Sequence, residues 1–298
     1  MKFIKPSVEI ITEPDLFKRI EIGARCCYKS ESKISDDSAE KMVKALIKRG
    51  HESPLEHSNI MVWVDDVAVK YLRSILSIYT EMTGLPHYIR ILYCDNGMIC
   101  AGNLRAWRSL VKYYSNHWLL VRLFEHHPAF ADLDLYQRGN TVCCECRVLD
   151  YEVEDPTLKI ITARFICDRG VSHELVRHRC LSFSQESTRY INYKDGLTFV
   201  EPWWWPEQET SDTQFIRASC QAAEDAYCSL IASGASPQKA RCVLPNMLKT
   251  EVVATGTVEQ WQKLVLPLRL SKAAHPDIRR LMELFCEQLG WNPDDFRK

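Results

Sequence analysis

The chain has 298 residues, 46% of them apolar and 26% charged, which is enough for a sizeable core and for about two ordinary domains or one large domain with an insertion. With 11 glycines, 13 cysteines and no low-complexity tract, it is not disordered, collagen-like or a disulfide scaffold. Lys plus Arg total 38 against 39 for Asp plus Glu, a formal charge of −1, so no general positive field holds nucleic acid and any anion site is local.

The opening segment turns polar before a signal peptide's apolar run is complete, and later apolar stretches are broken by charges well short of a membrane span. The expectation is a cytoplasmic protein, with no membrane partner and with reduced cysteines. Within 38–49, Met42, Val43, Leu46 and Ile47 share one helical face, with Ser35 and Asp36 as cap candidates and Gly50 as the stop. The polar turn His51-Glu52-Ser53-Pro54-Leu55-Glu56-His57 follows, then a strand over 60–64. A turn between helix and strand is a usual seat for functional groups.

From about 65 to 157 the character changes, with helix-like stretches at 67–80 and 104–114 and a polar, aromatic segment after them. No Gly/Ser/Pro-rich linker bounds this block, so it reads as an insertion in a single domain spanning 1–298. Inside it, Arg105 and Arg108 read as a solvated helix face and His126-His127 as surface. Cys143, Cys144 and Cys146 crowd together without a second pair at zinc-ligand spacing, and no metal is expected.

Residues 158–167 read as a buried strand, with a helix following through 173–178. Trp203, Trp204 and Trp205 read as core or interface packing. In the C-terminal third Ile216, Cys220, Ala223, Tyr227 and Leu230 follow the helical period, and Ser236-Pro237 opens a helix that stops before Pro245. His275-Pro276 opens another, with Ile278, Leu281, Met282, Phe285 and Leu289 inward and Gly290 as its stop. The expected class is α+β, a mixed sheet with packed helices and an inserted module of helix and strand.

One stretch stands out chemically: Arg177-His178-Arg179, then Ser182, Ser184, Gln185, Ser187, Thr188, Arg189 and Tyr190. Guanidiniums, an imidazole, an amide and several hydroxyls this close together form a dense donor set suited to phosphate or carboxylate. Leu181 and Phe183 alternate with Ser182 and Ser184, which ties the segment to a core rather than to a solvated turn.

The spacing from Arg177-His178-Arg179 to Ser187, preceded by Val171-Ser172-His173-Glu174 and followed by Thr188-Arg189-Tyr190, resembles the signature of the flavin-dependent thymidylate synthases. The turn at 51–57 resembles that family's early His-x-Ser/Thr-Pro-x-Glu-His segment. Ala240-Arg241-Cys242-Val243-Leu244-Pro245, with Thr250, Thr255 and Leu268-Arg269, resembles its C-terminal motif. The likeness covers about 20–64 and 158–285.

The resemblance implies methylation of dUMP at C5 to dTMP, with FAD as cofactor and with methylenetetrahydrofolate and NADPH as co-substrates. It also implies a homotetramer with active sites where subunits meet, and no cysteine nucleophile, so that Cys180 is a bystander. By the same likeness Arg177, His178 and Arg179 face the flavin, with Ser53 and Glu56 helping to hold it and Thr257 and Glu259 standing where the late Asn-x-Arg contacts it. Glu174, Arg177, Gln185, Ser187, Thr188, Arg189, Arg241 and Arg269 are the nucleotide set. Arg269 is the catalytic residue, a fixed positive charge for the anion that builds on the pyrimidine as C5 becomes nucleophilic. Glu174 and Gln185 exchange the Gln and Glu common at those positions, which preserves the net charge of the site.

Three other readings are open at this level. One is a related flavoenzyme acting on another pyrimidine nucleotide, and another is a relative that has lost FAD. The third is a single-stranded nucleic-acid-binding module, against which the near-zero charge and the lack of a second basic stripe both weigh.

Overall fold

A computed structural model describes residues 1–86, 88–137 and 142–297; position 87 and positions 138–141 of the expected insertion lie outside the described residues. In chain order the strands and α-helices are β1 (Lys2–Ile4), β2 (Ser7–Ile11), α1 (Leu16–Tyr28), α2 (Ser38–Lys48), β3 (Ile60–Asp65), α3 (Asp66–Thr83), β4 (Arg90–Cys94), β5 (Gly97–Gly102), α4 (Leu104–Tyr113), α5 (Trp118–Phe124) and β6 (Cys146–Val148). They continue with β7 (Ile160–Asp168), α6 (Arg169–Leu175), β8 (Ser182–Gln185), β9 (Thr198–Val200), α7 (Ser211–Ala232), α8 (Pro237–Ala240), β10 (Lys249–Thr257), α9 (Leu266–Arg269) and α10 (Pro276–Leu289). The class is α+β. The chain divides into two compact units, one of Met1–Glu13, Glu21–Ser35 and Ile161–Lys298, the other of Pro14–Ile20 and Asp36–Ile160.

The first unit is built on a four-stranded sheet in the order β2-β7-β10-β8, beside a parallel β1-β9 pair. Alternation along β7 decides its faces: Ile161, Ala163, Phe165 and Cys167 enter a core with Val252, Ala254, Leu281, Met282 and Phe285. Phe285 sits 4.5 Å from Trp261 and 5.7 Å from Phe165, centroid to centroid. Burying each such ring contributes about 1.5–3 kcal/mol. On the other face the Thr162 and Thr255 hydroxyls meet at 2.9 Å, so a strand rich in threonine is tolerated in the interior because its hydroxyls pair. Strand β8 is antiparallel to β10 with Ser184 opposite Val253 and Ser182 opposite Thr255. This pairing fixes the chain directly after Arg177-His178-Arg179.

The helix expected through 173–178 ends at Leu175, before the motif. The His178 N–H donates to the Leu175 carbonyl and the Leu181 N–H to the His178 carbonyl, so tight turns replace helix there and present the motif side chains from a loop. The helix expected from Ser236 is a single α-turn followed by a 3-10 turn at Arg241–Val243. Helix α10 ends as expected, with Gly290 in the left-handed region at φ 67°.

The second unit has its own sheet, β4-β5-β3-β6, with every neighbouring pair antiparallel. Two expectations inside it are corrected. Arg108 is not on a solvated face: it is fully buried and grips both oxygens of Asp132 at 2.7 Å. Its partner lies far along the chain, so helical periodicity alone could not reveal the pairing. His127 is not free on the surface either; its Nδ1 accepts from the Ala129 N–H at 3.2 Å and its ring packs edge-on against Phe130.

His57 is also fully buried, and burial pushes its imidazole down to about 4; burial moves His117 and His127 in the same direction. These groups are neutral in the folded unit and titrate near 6.5 once unfolded. Their stabilising contribution is therefore complete above pH 6.5 and is lost as pH falls toward the folded value. For His57 alone the expected loss between pH 6.5 and about 4 is roughly 3 kcal/mol. Urea midpoints measured across this range should fall for the native chain and fall less for His57→Gln; parallel slopes would contradict the assignment.

Candidate active site

Within the first unit the predicted residues gather around the end of α6, the turn after it, the end of β8 and the short helix α9. The Arg269 guanidinium is the centre of one group. Its Nε donates to His178 Nε2 at 2.7 Å, Nη1 to Glu174 Oε2 at 2.8 Å and Nη2 to the Glu174 carbonyl at 2.8 Å. Burial first, then the charge of Arg269, hold the His178 imidazole down to about 4. At neutral pH the ring is uncharged, its Nε2 lone pair accepts from arginine, and its proton is on Nδ1.

Gln185 belongs to a second group. Its amide donates to Ser172 Oγ at 2.9 Å and to Thr250 Oγ1 at 3.2 Å, which ties the strand carrying the motif to α6 and β10. Beyond it the Ser187 N–H donates to the Cys27 carbonyl at 3.1 Å and Thr188 is buried, so the backbone of this loop is pinned while Arg189 remains exposed. The Arg189 Nε donates to Gln238 at 3.2 Å. Gln238 stands three residues before Arg241, one helical turn away, and Arg241 is exposed. Arg177 and Arg179 are exposed as well, and among the described residues no side-chain partner engages either guanidinium. Exposed, unpaired guanidiniums are suited to a diphosphate or a phosphate.

Other predicted positions are engaged elsewhere. Ser53 and Glu56 lie on a 3-10 turn of the second unit, where Glu56 pairs with Arg105 at 2.5 Å. Thr257 and Gln260 exchange hydrogen bonds, Thr257 N–H to Gln260 Oε1 at 2.7 Å and Gln260 N–H to Thr257 Oγ1 at 3.1 Å. Glu259 pairs with Lys263 at 2.7 Å. The stretch after them, Gln260–Val265, is a π-helix, a rare form that recurs at functional sites. Burial raises the Cys180 thiol above its ordinary value, which disfavours the thiolate a nucleophile needs. Among the described residues no group of three or more His, Cys, Asp or Glu is placed to hold a metal.

Sequence reasoning missed a buried ionic chain beside the site. The Lys249 ammonium donates to Glu186 at 2.7 Å and to Glu251 at 2.5 Å; Tyr193 donates to the other Glu186 oxygen at 2.8 Å, and Lys29 pairs with Glu251. Its only signal in the sequence is Glu186, an acid inside an otherwise cationic and hydroxylic motif. Ser172 and Thr250 hold Gln185; in the sequence one stands before the Arg177-His178-Arg179 run and the other in the C-terminal motif, with no sign that they meet.

Gly256 packs against the motif turn. A Cβ there would come within 2.2 Å of the Leu181 side chain, which is itself buried. Gly256→Ala should therefore cost about 1–3 kcal/mol by overpacking and displace the turn that carries His178. Thermal denaturation checks the first part, and nucleotide affinity the second; an unchanged melting temperature would show that Leu181 has room to move.

No helix among the described residues is long and apolar enough to cross a membrane. A family model described as "Thymidylate synthase complementing protein" matches residues 9–77 and 158–290. The chain is 35% identical over 131 residues to a flavin-dependent thymidylate synthase of Geobacter sulfurreducens, an alignment covering 43% of this chain and 56% of that one. It is 33% identical over 137 residues to the enzyme of that name from Mycobacterium tuberculosis, covering 41% and 54%. The chain thus spans about half the length of the curated relatives it matches. Among solved structures, the UMP/dUMP methylase PolB of Streptomyces cacaoi bound with 5-Br dUMP aligns with a TM-score of 0.39 and 17% identity, over 97% of this chain and 90% of that one. The flavin-dependent thymidylate synthase ThyX of Helicobacter pylori complexed with FAD and dUMP aligns with a TM-score of 0.34 and 22% identity, over 43% and 67%.

Proposed function

This chain belongs to the thymidylate synthase complementing protein family, and from that membership we propose that it methylates dUMP at C5 to dTMP, with FAD as cofactor and methylenetetrahydrofolate and NADPH as co-substrates. The observation that carries the reading is the anchored Arg269 guanidinium beside a set of exposed, unpaired arginines. Arg177 and Arg179 fit an anionic cofactor, because each offers a full guanidinium fork with no protein partner among the described residues. Ser187, Thr188, Arg189 and Arg241 are assigned to the nucleotide, chiefly its phosphate.

Bound FAD supplies hydride transfer, which no side chain of this chain performs. The protein's own part is electrostatic. Making C5 nucleophilic places negative charge on the pyrimidine ring, and Arg269 meets that charge without losing a proton near neutral pH. Its orientation is set before the nucleotide arrives, through His178 and Glu174, so little reorganisation is needed during the reaction. His178 is uncharged at neutral pH and holds Arg269 rather than transferring a proton. By the family likeness the working form is a cytoplasmic homotetramer with active sites where subunits meet.

Arg189→Ala should raise the Michaelis constant for dUMP by about 10-fold or more, the scale of one charge-assisted contact, with little change in flavin content. An unchanged Michaelis constant would remove Arg189 from the phosphate set. The reading as a whole is tested with the purified protein, FAD, NADPH and methylenetetrahydrofolate against dUMP, UMP and dCMP. Formation of dTMP from dUMP is expected. Turnover of UMP alone would assign the chain to a different pyrimidine.

A further inference from the structure

Arg269 has five N–H groups, and three are taken by the chain itself: Nε by His178, one on Nη1 by the Glu174 carboxylate and one on Nη2 by the Glu174 carbonyl. Two remain, one on each Nη atom. Glu174 therefore holds both Nη atoms, one through its side chain and one through its backbone, from the last turn of α6. The Glu174 side chain is 28% exposed and that of Arg269 17%. A charge-assisted pair in a partly shielded place, held at three points, is geometrically restrictive.

We propose that Glu174 is a positioning residue: it clamps the Arg269 guanidinium in one rotation and so selects which two N–H groups face the nucleotide. This rests on the reading of Arg269 as the group that meets the pyrimidine. It revises the expectation that Glu174 itself binds the nucleotide. The carbonyl half of the clamp survives any side-chain substitution, so removing the carboxylate loosens Arg269 rather than releasing it. Glutamine keeps an acceptor at the same reach, while alanine keeps none.

The test is a double-mutant cycle between Glu174 and Arg269, read on turnover of dUMP, on dUMP affinity by calorimetry, and on the urea midpoint of the ligand-free protein. E174A is expected to lower kcat by about 10- to 100-fold with the Michaelis constant for dUMP changed less than about 3-fold, the pattern of an interaction used in the transition state. E174Q should restore most of the loss. On an R269A background E174A should add less than about 3-fold, because the group it positions is gone. If the two losses multiply, Glu174 acts on the nucleotide by its own contact and the proposal is overturned.

Should E174A fail to fold, E174S, which likewise keeps no acceptor at that reach, runs the same cycle against R269A. If the native protein neither binds nor turns over dUMP, the functional reading fails. The clamp is then judged in the ligand-free protein: coupled urea midpoints for E174A and R269A support it, and additive midpoints overturn it.

Discussion

Arg269→Ala lowers turnover of dUMP by about 100- to 1,000-fold, the usual loss when one preorganised donor to a developing anion is removed, while flavin stays bound. The expectation follows from where the guanidinium is held. Three of its N–H groups are engaged by His178 and Glu174, so its position is fixed by the protein and not by the ligand. Arg177 and Arg179, the arginines assigned to FAD, are not among the groups that hold it. Flavin content by absorbance and turnover by product analysis separate the two outcomes. Loss of flavin with turnover would move Arg269 into the cofactor set.

Lys249→Met destabilises the first unit by about 3–5 kcal/mol, because it leaves the Glu186 carboxylate buried without a counter-charge and Glu251 with Lys29 alone. Glu186 and Glu251 are 3% and 7% exposed, and both rely on the Lys249 ammonium. Burial alone would push the Glu251 carboxyl up; hydrogen bonds from Lys249 and Lys29 outweigh it and hold the carboxyl below its ordinary value. Its contribution is present above the unfolded value and is lost as pH falls through the lower folded one. In the variant Glu251 keeps only Lys29 against its burial, so less of that contribution is present at neutral pH to be lost. Urea midpoints of the two proteins should therefore differ widely at pH 7 and converge toward pH 4. A constant difference would mean that the deficit is lost packing rather than an unpaired charge.

The legible parts of the fold are those where period and end signals agree. Helix α10 is readable because Ile278, Leu281, Met282 and Phe285 repeat at the helical period between His275-Pro276 and Gly290, and all four are buried. Strand β7 is readable as a near-continuous apolar run. Strand β10 is not, although all but its first residue is buried. Lys249, Thr250, Glu251, Thr255 and Thr257 disguise it as a polar segment, and each is accommodated by a partner distant in sequence or by its own local turn. A polar residue can sit inside when its partner does, and no local pattern shows the partner.

The site follows the same rule. Arg177-His178-Arg179 through Arg189 is legible as an anion-binding run from residue types alone, and the family likeness added Arg269 from far along the chain. What the sequence hid is which groups touch. Glu174 is spaced three residues before Arg177 and reads as a neighbour of the ligand, yet it closes on Arg269. Thr257 and Glu259 read as cofactor contacts by alignment, while in the structure one caps its own helical turn with Gln260 and the other pairs with Lys263. Contacts at helix ends depend on one-residue differences in register, which motif spacing does not resolve.

Whether one site of this protein brings flavin and dUMP together is tested most directly by the visible absorption spectrum of the purified protein after reconstitution with FAD, recorded as dUMP is titrated in. A retained flavin band that shifts and saturates with dUMP is expected. A protein that keeps no flavin, or a flavin band that does not respond to dUMP at any concentration, contradicts that expectation.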